Sequence, residues 1–193
     1  MRINPLTRFA IILFLVATLS SCLSNKNEEL KNNGLFTAII EIPAGTNKKF
    51  EFNYNSKKFE CEKINGEDRI VNYLPYPGNY GYLLNTYMDP ELGGDGDALD
   101  VLVIDEHIAQ GSKVNIEPLA ILKLLDNGEE DHKIIAISTN SKINRFVNGI
   151  PKSAEKIITT WFCNYKKNNV IKFQQWGSKE QAIKEIEKWT TRL

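Results

Sequence analysis

The chain has 193 residues, balances 24 basic against 24 acidic side chains, and is 42% hydrophobic. No basic tract invites nucleic acid or an anionic membrane surface, and the body beginning near residue 35 has the size of one domain with a real core. Two histidines, His107 and His132, and few cysteines give little support to a Cys/His zinc site or a histidine-based nucleophilic triad.

At the start of the chain, Arg2 and Arg8 precede an apolar run from Phe9 to Leu19, and Ser20 and Ser21 lead to Cys22. This is the order of a secretory signal. The run is too short to cross a bilayer, which takes about 20 residues as a helix. The ending Leu19-Ser20-Ser21-Cys22 resembles the bacterial lipobox, in which the cysteine is lipid-modified and becomes the new N-terminus. The expectation is a lipoprotein signal peptide over 1–21, lipidation of Cys22, a polar tether over 22–34 and one catalytic domain over 35–193. The protein would then be exported and anchored to a bacterial membrane, on its periplasmic or cell-surface side. An ordinary secreted protein with a coincidental cysteine is the alternative. Cys61 and Cys163 remain, and the sequence leaves open whether they form a disulfide or two separate thiols.

Thr37 to Ile42 reads as a short strand, and Lys49 to Tyr54 alternates, with Phe50, Phe52 and Tyr54 opposite Lys49, Glu51 and Asn53. Phe59 to Ile64 is strand-like before an Asn65-Gly66 turn, a strong hairpin signal. The segment Tyr76-Pro77-Gly78-Asn79-Tyr80-Gly81-Tyr82 is aromatic, rigid and turn-rich. Val101 to Ile104 is an apolar strand, and the strands Val114 to Leu125 and Lys133 to Ser138 flank an acidic turn from Asp126 to Asp131. Helices come last. Ser153 to Lys167 would put Ile157, Ile158, Trp161, Phe162 and Tyr165 on one face, and Ser178 to Thr190 opens with a capping box and turns Ala182, Ile183, Ile186 and Trp189 inward. Strands followed by helices indicate an α+β fold, and about five strands suit a small closed barrel.

Asp95, Asp97 and Asp100 fall within six residues at the mouth of the strand Val101 to Ile104. Charge beside a core is costly unless neutralised, and no Lys or Arg occurs from residue 70 to 112. A hard divalent cation such as Mg²⁺ answers that cost. A solvated acidic turn is the alternative, since Gly and Asp are ordinary turn residues. A calcium hand fits neither register of the loop and lacks its flanking helices.

Other charged residues are bland one at a time: Glu41 within an apolar strand, Lys49 and Glu51 on one strand face, Arg69, Asp126 and Asp131, Lys133, and Tyr165-Lys166 near a helix end. Together they supply carboxylates for several metal ions and Lys, Arg and Tyr donors for phosphate oxygens. That pairing suits phosphoryl transfer, which depends chiefly on positioning and charge neutralisation.

These segments resemble the family I soluble inorganic pyrophosphatases. The family signature is Asp, a small or polar residue, Asp, Pro, an apolar residue, Asp and an aliphatic residue, read here as Asp95-Gly96-Asp97-Ala98-Leu99-Asp100-Val101. Around it stand IIEIPAG with Glu41, KKFEF with Lys49 and Glu51, DRI with Arg69, YPGNYGY with Tyr76 and Tyr80, DNGEEDHK with Asp126, Asp131 and Lys133, and NYKKNN with Tyr165 and Lys166. Ala98 replaces the usual Pro, and a slightly short spacing after Glu41 leaves Lys48 as an alternative to Lys49.

The resemblance implies a five-stranded OB-like β-barrel with flanking C-terminal helices and Mg²⁺-dependent hydrolysis of diphosphate to two phosphates. It implies Asp95, Asp100 and Asp131 as metal ligands, assisted by Asp126 and Glu41, and Asp97 as the group accepting the proton of the attacking water. Lys49, Glu51, Arg69, Tyr80, Lys133, Tyr165 and Lys166 would form the substrate site. A homo-oligomer is compatible with the resemblance, hexamers being common among bacterial relatives. A barrel-type module binding nucleic acid or sugar is disfavoured by the neutral charge and the many acid and base residues. A metal-dependent phosphoesterase with another substrate stays open.

Overall fold

The computed structural model describes residues 36–143, 146, 149–166 and 170–191. The expected signal peptide, the tether and Cys22 lie outside the described residues. The strands are, in chain order, β1 (Phe36–Ile42), β2 (Phe50–Asn53), β3 (Lys58–Cys61), β4 (Lys63–Ile64), β5 (Glu67–Asp68) and β6 (Asn79–Leu83). They continue as β7 (Asp100–Ile104), β8 (Lys113–Asp126), β9 (Glu129–Glu130), β10 (Lys133–Ser138) and β11 (Ile171–Gly177). Two helices, α1 (Lys152–Asn164) and α2 (Lys179–Trp189), flank β11.

Aliphatic and β-branched runs make the frame. β1 pairs with both β6 and β8, so the path β1-β6-β7-β10-β8 returns to its start and closes a five-stranded barrel. The expected OB-like α+β fold is therefore present. Closure removes the sheet edges that an open sheet would expose. The long strand β8 pairs with β1 at its beginning, with β10 in its middle and with β11 at its end. Pro118 sits in β8 where the β10 register slips between Ile135 and Ala136, a bulge that tolerates a residue without an N–H.

Alternating residues divide into two apolar clusters. Val101, Val103, Ile134 and Ala136 join one, while Leu102 and Ile135 join the other. α2 buries Ala182, Ile186 and Trp189 in the first cluster, and its capping box between Ser178 and Gln181 forms as expected. α1 buries Ile158, Trp161 and Phe162 in the second. Ile157, expected on that face, is 63% exposed because the buried stripe runs on its neighbour's side of the helix. Ile183 is only half-buried for the same reason.

Two elements depart from the sequence expectation. The aromatic segment after Pro77 is strand β6, and Gly81 is what admits it: a Cβ there would stand 1.8 Å from the Ile39 carbonyl oxygen. β11 separates the helices and extends the sheet beyond the barrel. The Asn65-Gly66 turn closes β4 on β5, with both residues at positive φ. Cys61 and Cys163 are both free thiols. Among the described residues no helix is long and apolar enough to cross a membrane.

Asn79 opens β6 fully buried, and its side chain ties three segments together. Its amide donates to the Glu106 carbonyl at 2.8 Å, and its carbonyl accepts from Ala44 N–H at 3.0 Å and Ile108 N–H at 2.8 Å. Asn79→Ala strands those backbone groups in the interior. The variant should lose about 2–4 kcal/mol of unfolding free energy, read as a lower urea midpoint at unchanged slope.

Candidate active site

The acidic loop joins β6 to β7 and is braced by its own backbone. Met88 N–H donates to the Asp97 carbonyl at 2.7 Å, and Gly96 N–H donates to the Met88 carbonyl at 2.8 Å. Gly94 lies so close to Met88 that a Cβ would approach its carbonyl carbon to 2.2 Å. Asp97 N–H donates to Asp95 Oδ1 at 3.0 Å, and Leu99, fully buried, donates its N–H to Thr86 Oγ1 at 3.0 Å. These bonds hold the loop without the proline that Ala98 replaces.

Asp95 and Asp97 project to solvent, whereas Asp100 is half-buried at the start of β7. β10 runs parallel to β7, with Ile134 opposite Val101, so Lys133 comes beside Asp100. The Lys133 ammonium, on a residue only 4% exposed, bonds both Asp100 and Asp131. A cation bound from solution is thus not the only positive charge offered to Asp100. A lysine 33 residues away neutralises Asp100, where no nearby cation was available. Burial alone would lower the Lys133 pKa, but Asp100 and Asp131 drive it far above its usual value.

Glu41 sits where the β1–β6 register slips between Ile40 and Ile42, and the bulge re-aims the strand. Ile40 consequently faces one apolar cluster and Ile42 the other. The Glu41 carboxylate accepts from Phe52 N–H at 2.7 Å. Burial pushes its pKa up to about 7, against the opposing pull of the Phe52 N–H and Lys49. Lys49 pairs with Glu51 at 2.9 Å, and its ammonium lies 5.8 Å from the centre of the Tyr80 ring, the same distance as that of Lys133. Lys48, by contrast, pairs with Asp68 at 3.1 Å and has a 49% exposed side chain. Lys49 is thus the lysine that the fold turns toward the acids.

Burial of Lys49 is outweighed by Glu51, Asp100 and Glu41, which hold its pKa above the ordinary value. Asp97 is raised by partial burial and then by Asp95 and Asp100. The field of Asp100 reaches Glu41, Lys49, Tyr80 and Asp97 alike, so these groups form one electrostatic neighbourhood.

An aromatic wall brings in the remainder. Tyr80 packs against Tyr76 at 5.3 Å, Tyr76 against Trp161 at 4.6 Å, and Trp161 stacks on Tyr165 at 4.8 Å. Trp161 is fixed by its indole N–H, which donates to the Leu74 carbonyl at 2.8 Å. Burial raises the pKa of Tyr76, Tyr80 and Tyr165, so all three stay protonated donors. Lys166 follows Tyr165 and pairs with Asp126. Arg69, held by Glu62 at 2.6 Å, lines an open cleft of about 220 Å³ together with Tyr165 and Lys166.

The structure therefore gathers Glu41, Lys49, Glu51, Tyr80, Asp97, Asp100, Asp131 and Lys133 directly, with Asp95 beside Asp97. Arg69, Tyr165 and Lys166 line the cleft, and Asp126 pairs with Lys166. Sequence reasoning missed Glu62, which meets Arg69 across the β4–β5 hairpin, and Asn79, whose backbone partners are distant in the chain. Among the described residues no three metal-capable side chains form a closed cage, the lysines standing between several of the acids. The donors on offer are all carboxylate oxygens, a set that fits Mg²⁺ better than a softer ion.

The Glu41 shift has a consequence for stability. The fold keeps this carboxyl protonated where the unfolded chain has released the proton, so between about pH 4.5 and 7 the folded state binds more protons. Stability must fall as pH rises through that window. In metal-free protein, Glu41→Gln should remove a loss on the order of 3 kcal/mol. Urea unfolding in EDTA across the window checks it, the variant giving the flatter profile.

Comparison with known proteins agrees with this geometry. The model of the family described as inorganic pyrophosphatase matches residues 38–193. The inorganic pyrophosphatase of Neisseria meningitidis serogroup B is 32% identical over 170 residues, covering 82% of this chain and 90% of that protein. The crystal structure of an inorganic pyrophosphatase from Neisseria gonorrhoeae superposes with a TM-score of 0.69 at 30% identity, covering 83% of this chain and 91% of that one. An N-terminally truncated vacuolar soluble pyrophosphatase of Trypanosoma cruzi, solved in complex with PPi, gives a TM-score of 0.74 at 27% identity over 81% of this chain and 68% of that one. Matches of this extent show that the chain belongs to the inorganic pyrophosphatase family of enzymes.

Proposed function

We propose that the chain is a Mg²⁺-dependent inorganic diphosphatase that splits diphosphate into two phosphates by direct attack of water. The observation that carries this reading is the buried Lys133 ammonium bonded to both Asp100 and Asp131 beside the acidic loop. Asp95, Asp100 and Asp131 would hold the metal, with Asp126 and Glu41 adding ligands. When bound, Mg²⁺ supplies polarisation and charge neutralisation of phosphoryl oxygens.

The chain's own groups do the rest. Asp97 takes the proton of the attacking water at its carboxylate, and its raised pKa makes it the better acceptor. The water oxygen bonds to one phosphorus as the bridging P–O bond breaks, and the second phosphate departs without a covalent enzyme intermediate. Lys133 has three donors, enough to keep both aspartates and still reach a phosphate oxygen. Lys49, steadied by Glu51, supplies further positive charge, as do Arg69 and Lys166. Tyr80 and Tyr165 add neutral donors.

Purified protein should release phosphate from diphosphate with Mg²⁺ and not with EDTA, and Ca²⁺ should serve poorly because its coordination is larger and looser. Asp97→Asn should lower kcat by about 10²–10⁴-fold with the Mg²⁺ requirement almost unchanged. Asp100→Asn should instead move Mg²⁺ activation to higher concentration and recover partly when metal is raised. Equal rates with EDTA and Mg²⁺ would reject the reading, and the reverse pattern between the variants would exchange the two roles.

Lipid anchoring through Cys22 is proposed on the sequence Leu19-Ser20-Ser21-Cys22 behind a charged and apolar leader. In a bacterial host with lipoprotein processing, the wild type should take up a fatty-acid label and partition with membranes, and Cys22→Ser should do neither. An unlabelled wild type would refute the anchor.

A further inference from the structure

Glu62 has no part in the reaction described above, yet it sits between two of the groups assigned to phosphate. Its N–H donates to the Lys49 carbonyl at 2.8 Å, the Arg69 N–H donates to the Glu62 carbonyl at 2.7 Å, and the Lys49 N–H donates to the Arg69 carbonyl at 3.0 Å. These three backbone bonds form a ring through Lys49, Glu62 and Arg69. The hairpin of β4 and β5, which starts at the next residue, is pinned by Lys63 and Lys48 on Asp68. Glu62 is therefore a well-placed anchor.

Its carboxylate accepts from Arg69 Nη1 at 2.6 Å, the one side-chain bond that Arg69 makes among the described residues. A long arginine is costly to immobilise, and a substrate that must order it binds less tightly. Glu62 engages a single guanidinium nitrogen. The remaining donors of the five-proton fork are left for the cleft that Arg69 lines with Tyr165 and Lys166. A carboxylate acting as a competitor for phosphate would instead grip the fork through two nitrogens.

We propose that Glu62 is a positioning residue that holds the Arg69 guanidinium at the mouth of the cleft, ready to bind one phosphate of the substrate. This rests on the diphosphatase reading for its substrate, but its geometry depends only on an anionic phosphate entering the cleft.

The test compares the purified full chain with Glu62→Ala, Glu62→Gln, Arg69→Ala and the Glu62→Ala/Arg69→Ala double variant. KM and kcat are measured on diphosphate, and inorganic phosphate binding is followed by calorimetry. Glu62→Ala should raise KM about tenfold and weaken phosphate binding in parallel, with kcat within about twofold. Glu62→Gln, which keeps an acceptor of the same shape, should restore most of the affinity. In the Arg69→Ala background, loss of Glu62 should add nothing. An unchanged or tighter KM and phosphate affinity in Glu62→Ala, or an additive loss in the double variant, overturns the proposal. Should Glu62→Ala fail to fold, Glu62→Ser, whose hydroxyl cannot reach the guanidinium, takes its place with the same expected and overturning outcomes. A wild type that does not turn over diphosphate overturns the functional reading, and the calorimetric comparison then judges Glu62 by itself.

Discussion

The bonds from Lys133 to Asp100 and Asp131 are the constraint on which the site depends. Two partly buried carboxylates and a fully buried ammonium are each costly to take from water, and only their mutual proximity offsets the cost. That proximity is a product of topology. β7 and β10 form the barrel's parallel pair among the described residues, so both strands begin at the same rim. Asp100 opens one and Lys133 opens the other. An antiparallel pairing would have sent these two residues to opposite ends, and the barrel would close without a site.

The rest of the rim is brought in by packing. Trp161 cannot shift without breaking its bond to Leu74, and it carries Tyr165 on its face. The same stack continues through Tyr76 to Tyr80, which stands under the ammonium groups of Lys49 and Lys133. Helix α1 is thereby connected to the barrel mouth through a run of rings, and burial keeps their hydroxyls protonated. A rigid aromatic wall is a suitable support for a charged site, since it excludes water without competing for the charges.

The acidic loop was legible because its carboxylates are close in sequence and run into an apolar strand. The barrel was legible in outline from the alternation of β2 and the apolar runs of β7, β8 and β10. β6 was hidden by its own composition. Its Gly81 reads as a turn residue, although close strand approach is the reason it is there. β11 lost its alternation to a register slip between Phe173 and Gln175, so no period of two could reveal it. The positive partner of Asp100 was invisible because barrel closure, and not chain proximity, selects Lys133. Asn79 shares that property, its partners on distant segments being fixed only once the sheet has closed, whereas Glu62 meets Arg69 across the local β4–β5 hairpin.

The site's charges are also unequally committed. Lys133 is shared by Asp100 and Asp131, Lys166 takes Asp126, Lys49 takes Glu51 and Arg69 takes Glu62. Among the described residues, Asp95 and Asp97 carry no ion pair, and both face water. Their negative charge is the part of the site that no side chain among the described residues pairs with, and the Asp97 pKa is raised first by partial burial and then by Asp95 and Asp100. Solvation makes this tolerable, since exposed like charges a few ångströms apart repel weakly in water. The division of labour follows directly. Paired acids and bases inside the rim hold the barrel mouth together, and the exposed carboxylates outside it are left to the solvent.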